Sequence, residues 1–158
     1  MTALNTQDEL ADAIARLPGF GWGIGQSDSW SPMTEGYWRA AGEGVLTVQR
    51  CDACGVFRWP PNEVCFACHS MEWTWTPVSG QGRVYTYMWA DNVPIPGQEV
   101  YNMSVIELDG LDGDPVRILS QVVEATRESL QVGKAVSVEF VALGGGLAVP
   151  QWRLTDAE

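Results

Sequence analysis

The stretch CDACGVFRWPPNEVCFACHS, residues 51–70, holds every cysteine of the chain. Cys51 and Cys54 form one C-x-x-C pair, Cys65 and Cys68 a second, with ten residues between the pairs. Two such pairs joined by a short insert are what a tetrahedral thiolate site requires. Each pair makes a knuckle whose two sulfurs converge, and the insert lets the second knuckle fold back on the first as a ribbon hairpin. Gly55 follows Cys54 at the point where a knuckle turns through positive φ.

Other uses of four thiols compete with this reading. A redox dithiol needs only one C-x-x-C, opening a helix in a βαβ unit. Two disulfides suit an exported chain, and a rubredoxin-type iron centre would use the same four sulfurs. The doubled spacing favours one structural zinc per chain. Four thiolates complete its shell and leave no position for a catalytic water. His69, the only histidine, follows Cys68 directly and reads as a neighbour of the thiolates rather than a ligand.

Outward from the cysteines the pattern is that of strands. GVLTVQR (44–50) leads into the first knuckle and EWTWTPV (72–78) leaves the second. GRVYTYMWA (82–90), YNMSVIELD (101–109), PVRILSQVV (115–123), AVSVEFVAL (135–143) and LAVPQWRL (147–154) are β-branched and aromatic runs divided by turn signals. Asp109-Gly110, Asp112-Gly113 and Gly144-Gly145-Gly146 are such turns. The Asp109, Asp112, Asp114 spacing misses a calcium loop, and the glycine triplet has no helix or lysine after it to hold a phosphate. Five strands, with a turn of helix expected at TRESLQVG (126–133), fit an OB-type barrel.

The N-terminal third reads differently. Residues 6–17 predict a helix, capped by Thr6 and Glu9 and stopped at Pro18-Gly19, and a second short helix starts at Ser31-Pro32 and ends near Gly42. Between them GFGWGIGQSDSW (19–30) follows no strand and lacks dinucleotide-loop spacing, so it reads as an extended connector. Phe20, Trp22, Trp30, Tyr37 and Trp38 exceed what these short elements can cover, and they are read as a partner-binding surface. The expected division is 1–43 helical docking segment, 44–77 ribbon, 78–158 OB domain.

Composition narrows the function. The 158 residues are 46% hydrophobic and 18% charged, enough apolar character for a packed core. Twenty acids against nine bases give −11; four thiolates and one dication add −2, making −13. That charge repels phosphate backbones and anionic membranes. Tyr85, Tyr87 and Trp89 alternate along one strand, as bases would need for stacking. Without a cationic groove the row reads as core or partner contact, and single-strand nucleic-acid binding is the weaker alternative. No apolar run is long enough for a bilayer, and the acidic N-terminus does not read as an export signal, so a cytoplasmic location is expected. With the thiols committed to metal and the lone histidine beside them, no nucleophile–base pair assembles, and no catalytic residue is assigned.

The ordered motifs carry a resemblance. LTVQR (46–50), the cysteine stretch, W-T-P-V-S-G-x-G-x-V-Y-T-Y (75–87), VIELD (105–109) and L-x-V-G-K-x-V-x-V-E-F (130–140) are similar to a rubredoxin-like zinc ribbon plus OB-fold family, long a domain of unknown function and described as acyl-CoA-associated. The match runs from about residue 33 to 154. Proline often follows the family's third cysteine; here Phe66 stands there, at a position that supplies no ligand. The resemblance implies an accessory subunit with structural zinc. Its implied partner is a lipid-transfer-protein-type, thiolase-fold aldolase that cleaves a steroid side-chain β-hydroxyacyl-CoA. The runner-up is a scaffold bridging a thiolase and a hydroxymethylglutaryl-CoA synthase.

Overall fold

A computed structural model of the chain describes residues 32–95, 98–144 and 147–155. The expected helix over 6–17, the connector, and Phe20, Trp22 and Trp30 lie outside the described residues.

The first described element is helix α1 (Pro32–Gly42). Proline suits a first helical turn, where its missing N–H leaves no bond unmade. One turn apart, Tyr37 and Ala41 are both buried, while Glu35 and Arg39 pair on the outer side at 2.8 Å. Gly36 lies against Trp75: an ideal Cβ there would come 2.2 Å from its Cδ1, so only glycine allows this approach.

Strands β1 (Thr47–Cys51), β2 (Phe57–Arg58) and β3 (Trp73–Pro77) form an antiparallel sheet in the order β2-β1-β3. Its register pairs Cys51 with Trp73 and Gln49 with both Trp75 and Arg58. Buried Gln49 holds the insert in place, its Oε1 accepting bonds from Arg58 Nε at 2.8 Å and the Asn62 N–H at 2.9 Å.

The second sheet has six strands: β4 (Gln81–Ile95), β5 (Gln98–Leu108), β6 (Arg117–Ser120), β7 (Val122–Val123), β8 (Ala135–Gly144) and β9 (Leu147–Leu154). Their order is β6-β5-β4-β8-β9-β7. Both edge strands come from the single run expected over 115–123. It breaks at Gln121, whose carbonyl accepts the Trp152 N–H, so the sheet curls until its two edges meet in one segment. The molecule is mainly β, a zinc-ribbon sheet joined to an OB-type sheet, with six strands where five were expected. Over residues 126–133 the expected turn of helix is present and goes no further. A single turn, Leu130 N–H to the Thr126 carbonyl, ends because Leu130 is drawn into the core and Gly133 bonds across to Val84.

Val84, Ile106 and Ile118 face one another across β4, β5 and β6 and are all buried. With Leu108, Leu130, Val136 and Trp152 they form the centre of the core, each burial worth roughly 1.5–3 kcal/mol. One polar residue is built into it. Buried Asn102 donates to the Val122 carbonyl (2.7 Å) and accepts from the Val122 N–H (3.0 Å) and the Ser104 hydroxyl (2.9 Å). Its amide thereby ties β5 to β7, strands that do not pair directly. Asn102→Ala is expected to lower stability by about 1–3 kcal/mol, because two buried backbone groups of Val122 lose their partner. Urea unfolding measures this; an unchanged midpoint would show that water replaces the amide.

Candidate metal centre

The two knuckles repeat one geometry. In the first, the Cys51 N–H bonds the Val56 carbonyl and the Gly55 N–H bonds the Cys51 carbonyl. In the second, Cys65 and Ser70, then His69 and Cys65, make the same pair of bonds, all at 2.9 Å. Gly55 (φ 76°) and His69 (φ 62°) hold the same left-handed position. His69 is exposed and lies outside the sulfur cluster; its place is that of the turn residue, a role histidine fills more readily than most residues. The repeat C-x-x-C-G and C-x-x-C-H was the available signal.

The four Sγ atoms lie within 4.8 Å of one another, with Cys51 to Cys68 at 3.6 Å and Cys54 to Cys65 at 3.7 Å. A tetrahedron of ~2.3 Å zinc–sulfur bonds has edges of about 3.8 Å, so the donor set fits zinc. Cys51 and Cys65 are buried, while Cys54 and Cys68 reach the surface. Backbone N–H groups favour the thiolates. That of Cys54, helped by Ala53, pulls Cys51 below the ordinary thiol range. That of Cys68, helped by Ala67, brings Cys65 to about 6, in both cases against burial. At Cys68 the Ser70 N–H also lowers the value, but hydrogen bonding with the Cys54 sulfur, burial, and the Cys51 and Cys65 sulfurs together push it up to about 12. Four sulfurs this close hold charge together only around a cation. The ribbon is positioned for one structural zinc.

The aromatic residues expected to face a partner separate. Tyr37 is a correction: it is 5% exposed, with its ring 4.8 Å from that of Trp59 and 6.0 Å from that of Trp75. It lies on the inward stripe of α1, where the ribbon covers it, and burial raises its pKa above the ordinary tyrosine value. Trp38 is half-buried and lines a groove of about 390 Å³. Trp59 and Pro61 of the ribbon insert and Tyr101, Leu119 and Gln151 of the second sheet complete its walls. This groove had no signal in the sequence, because its walls come from five separated segments.

The Tyr85, Tyr87, Trp89 row is also divided. The β4–β5 register shifts by one between Val84 and Thr86, so Tyr85 is the extra residue of a β-bulge. Tyr87 and Trp89 pack on the core, whereas Tyr85 is exposed beneath the Arg117 guanidinium, 3.7 Å from its ring centre. No helix among the described residues is long and apolar enough to cross a membrane.

Comparison with known proteins places these features. Residues 38–74 match the rubredoxin-like zinc ribbon domain of ChsH2, and residues 75–141 match the ChsH2 C-terminal OB-fold domain. A solved chain of an Ltp2-ChsH2(DUF35) aldolase shares the fold at TM-score 0.70 and 27% identity, over 80% of this chain and 97% of that one. A DUF35-family protein of unknown function from Sulfolobus solfataricus shares the fold alone: TM-score 0.55, 13% identity, 79% and 87% covered. A probable enoyl-CoA hydratase alpha subunit of Thermomonospora curvata is 29% identical over 118 residues, which is 74% of this chain. The match spans only 36% of that relative's length.

Proposed function

Because the chain belongs to the family built from the ChsH2 zinc ribbon and OB-fold domains, we propose that it is a non-catalytic accessory subunit of an acyl-CoA-processing complex. Its partner in this reading is a lipid-transfer-protein-type, thiolase-fold aldolase, which performs retro-aldol cleavage of a steroid side-chain β-hydroxyacyl-CoA. The single observation that carries the proposal is the likeness to the Ltp2-ChsH2(DUF35) aldolase chain, which this chain matches over almost that chain's whole length. The hydratase relative agrees with acyl-CoA chemistry, but its activity belongs to a protein of which this chain spans about a third.

The chemistry of the sites suits the role. Cys51, Cys54, Cys65 and Cys68 would hold zinc in a filled shell, which fixes the ribbon and supplies no reacting ligand. Reaction steps fall to the partner; this chain supplies a folded surface, with Trp38 and the N-terminal aromatics Phe20, Trp22 and Trp30 as docking residues. Residues 1–43, 44–77 and 78–158 are its docking, ribbon and OB segments. Location in the cytoplasm is part of the same proposal.

The test is co-expression with a thiolase-fold subunit from the same organism. A soluble hetero-complex is expected, with aldol cleavage of a β-hydroxyacyl-CoA by that subunit only when this chain is present. A chain that elutes alone beside the subunit, or one that cleaves an acyl-CoA unaided, overturns the reading. Co-elution with a hydratase instead would keep the accessory role and replace the aldolase.

A further inference from the structure

The curled sheet has two faces, and only one is used by the core. Strand register places Met88 opposite Met103, and Val105 opposite both Thr86 and Leu119, all on the outer face of β4, β5 and β6. The bulge adds Tyr85 to the same side. Four large side chains here are well exposed: Tyr85 by 47%, Met88 by 51%, Met103 by 39% and Leu119 by 63%. Strand β6 is also a sheet edge, only four residues long. Leu119 and Tyr101 continue the face into the aromatic groove beside Trp38 and Trp59, so one apolar surface runs from the sheet to α1. A contiguous apolar area of this kind on a strongly acidic chain marks an interaction site, and paired methionines let it adapt to its partner.

We propose that this outer face is where the thiolase-fold subunit of the complex docks, a proposal that rests on the functional reading above and names its surface. Charge selects the occupant. A second copy would bring the same −11, or −13 with zinc. The two cations at the end of the face, Arg83 and Arg117, are already held by Asp109 at 3.8 Å and Glu107 at 2.8 Å, so they offer little to another acidic chain. An anionic lipid surface is repelled in the same way. The surface therefore fits an apolar element rimmed by basic residues on a different protein. Leu119 and Met103, at its centre, are the anchors, and Tyr85, braced by Arg117, is a rigid margin.

Binding of the full-length chain to the recombinant thiolase-fold subunit, by calorimetry at two salt concentrations, tests this. Leu119→Asp and Met103→Asp are expected to weaken binding at least about 30-fold, as loss of a central anchor does. Val132→Asp and Met71→Asp, at equally exposed apolar positions elsewhere, should stay within about threefold. Wild-type affinity should fall as salt rises. Zinc content and melting confirm that each variant folds, and Leu119→Gln and Met103→Gln serve where the acids do not. If the wild type binds and the face variants bind equally well, the surface is wrong and the functional reading stands. If the wild type does not bind the subunit, the functional reading fails and this occupant with it. Wild-type dimers in sedimentation that Leu119→Asp abolishes would assign the face to a second copy and overturn the proposal.

Discussion

Cys65→Ser is expected to leave the chain without zinc and with its ribbon unfolded. Structural zinc in a tetrathiolate site contributes apparent binding energies of about 10–16 kcal/mol, as large as the whole stability of an ordinary domain. The small size of the ribbon explains why so much depends on it. The ribbon sheet has three short strands, one of only two residues, and the knuckles that join them bury few side chains besides Cys51 and Cys65. Cys51 is the last residue of β1 and stands opposite Trp73 at the start of β3, so the metal pins the end of this sheet. Elemental analysis should find one zinc per wild-type chain and almost none in the variant. Loss of near-ultraviolet circular dichroism from Trp73 and Trp75, stacked edge to face at 5.6 Å, should accompany it. A variant that melts like wild type, or a wild type that melts unchanged after its zinc is stripped, would show that the sheet stands on packing alone.

Trp152→Ala should be the most damaging change in the core of the second sheet. Trp152 is fully buried, paired with Val138 on β8 and, in parallel, with Val122 on β7. Removing an indole from such a site costs about 3–5 kcal/mol, from lost transfer energy and the cavity left behind. For a chain of this size that is a fall in Tm of roughly 10–15 °C. Trp152→Phe should cost much less, because the indole N–H has no hydrogen-bond partner among the described residues and only volume is lost. Thermal unfolding of both variants checks the contrast. Equal losses would mean that the N–H is bonded in solution, and no loss in the alanine variant would remove Trp152 from the core.

The zinc site and the strands were legible in the sequence because their signals are local. A C-x-x-C pair brings its own sulfurs together, and two pairs ten residues apart need only a hairpin between them. The runs at 82–90, 101–109, 135–143 and 147–154 became strands because β-branched and aromatic residues bounded by turns have few other ways to bury themselves. The start of α1 at Pro32 was legible for the same reason.

What the tertiary structure alone decided depends on contacts between distant residues. Period-two alternation put Tyr85, Tyr87 and Trp89 on one face, but the register against β5 inserts a bulge at Tyr85 and turns it outward. The run at 115–123 looked like one strand. Gln121 divides it because Ser104 pairs with Ser120 on one edge and Trp152 pairs with Val122 on the other. Tyr37 looked surplus to its short helix until the ribbon's Trp59 and Trp75 covered it, and Leu130, whose N–H closes a single turn, sends its side chain into a core built by other strands. The groove beside Trp38, walled by five separated segments, and the apolar outer face of β4, β5 and β6 exist only once those segments have met. A side chain's alternation with its neighbours is set by the backbone next to it, whereas which face is covered is set by partners tens of residues away, whose energies no local pattern contains.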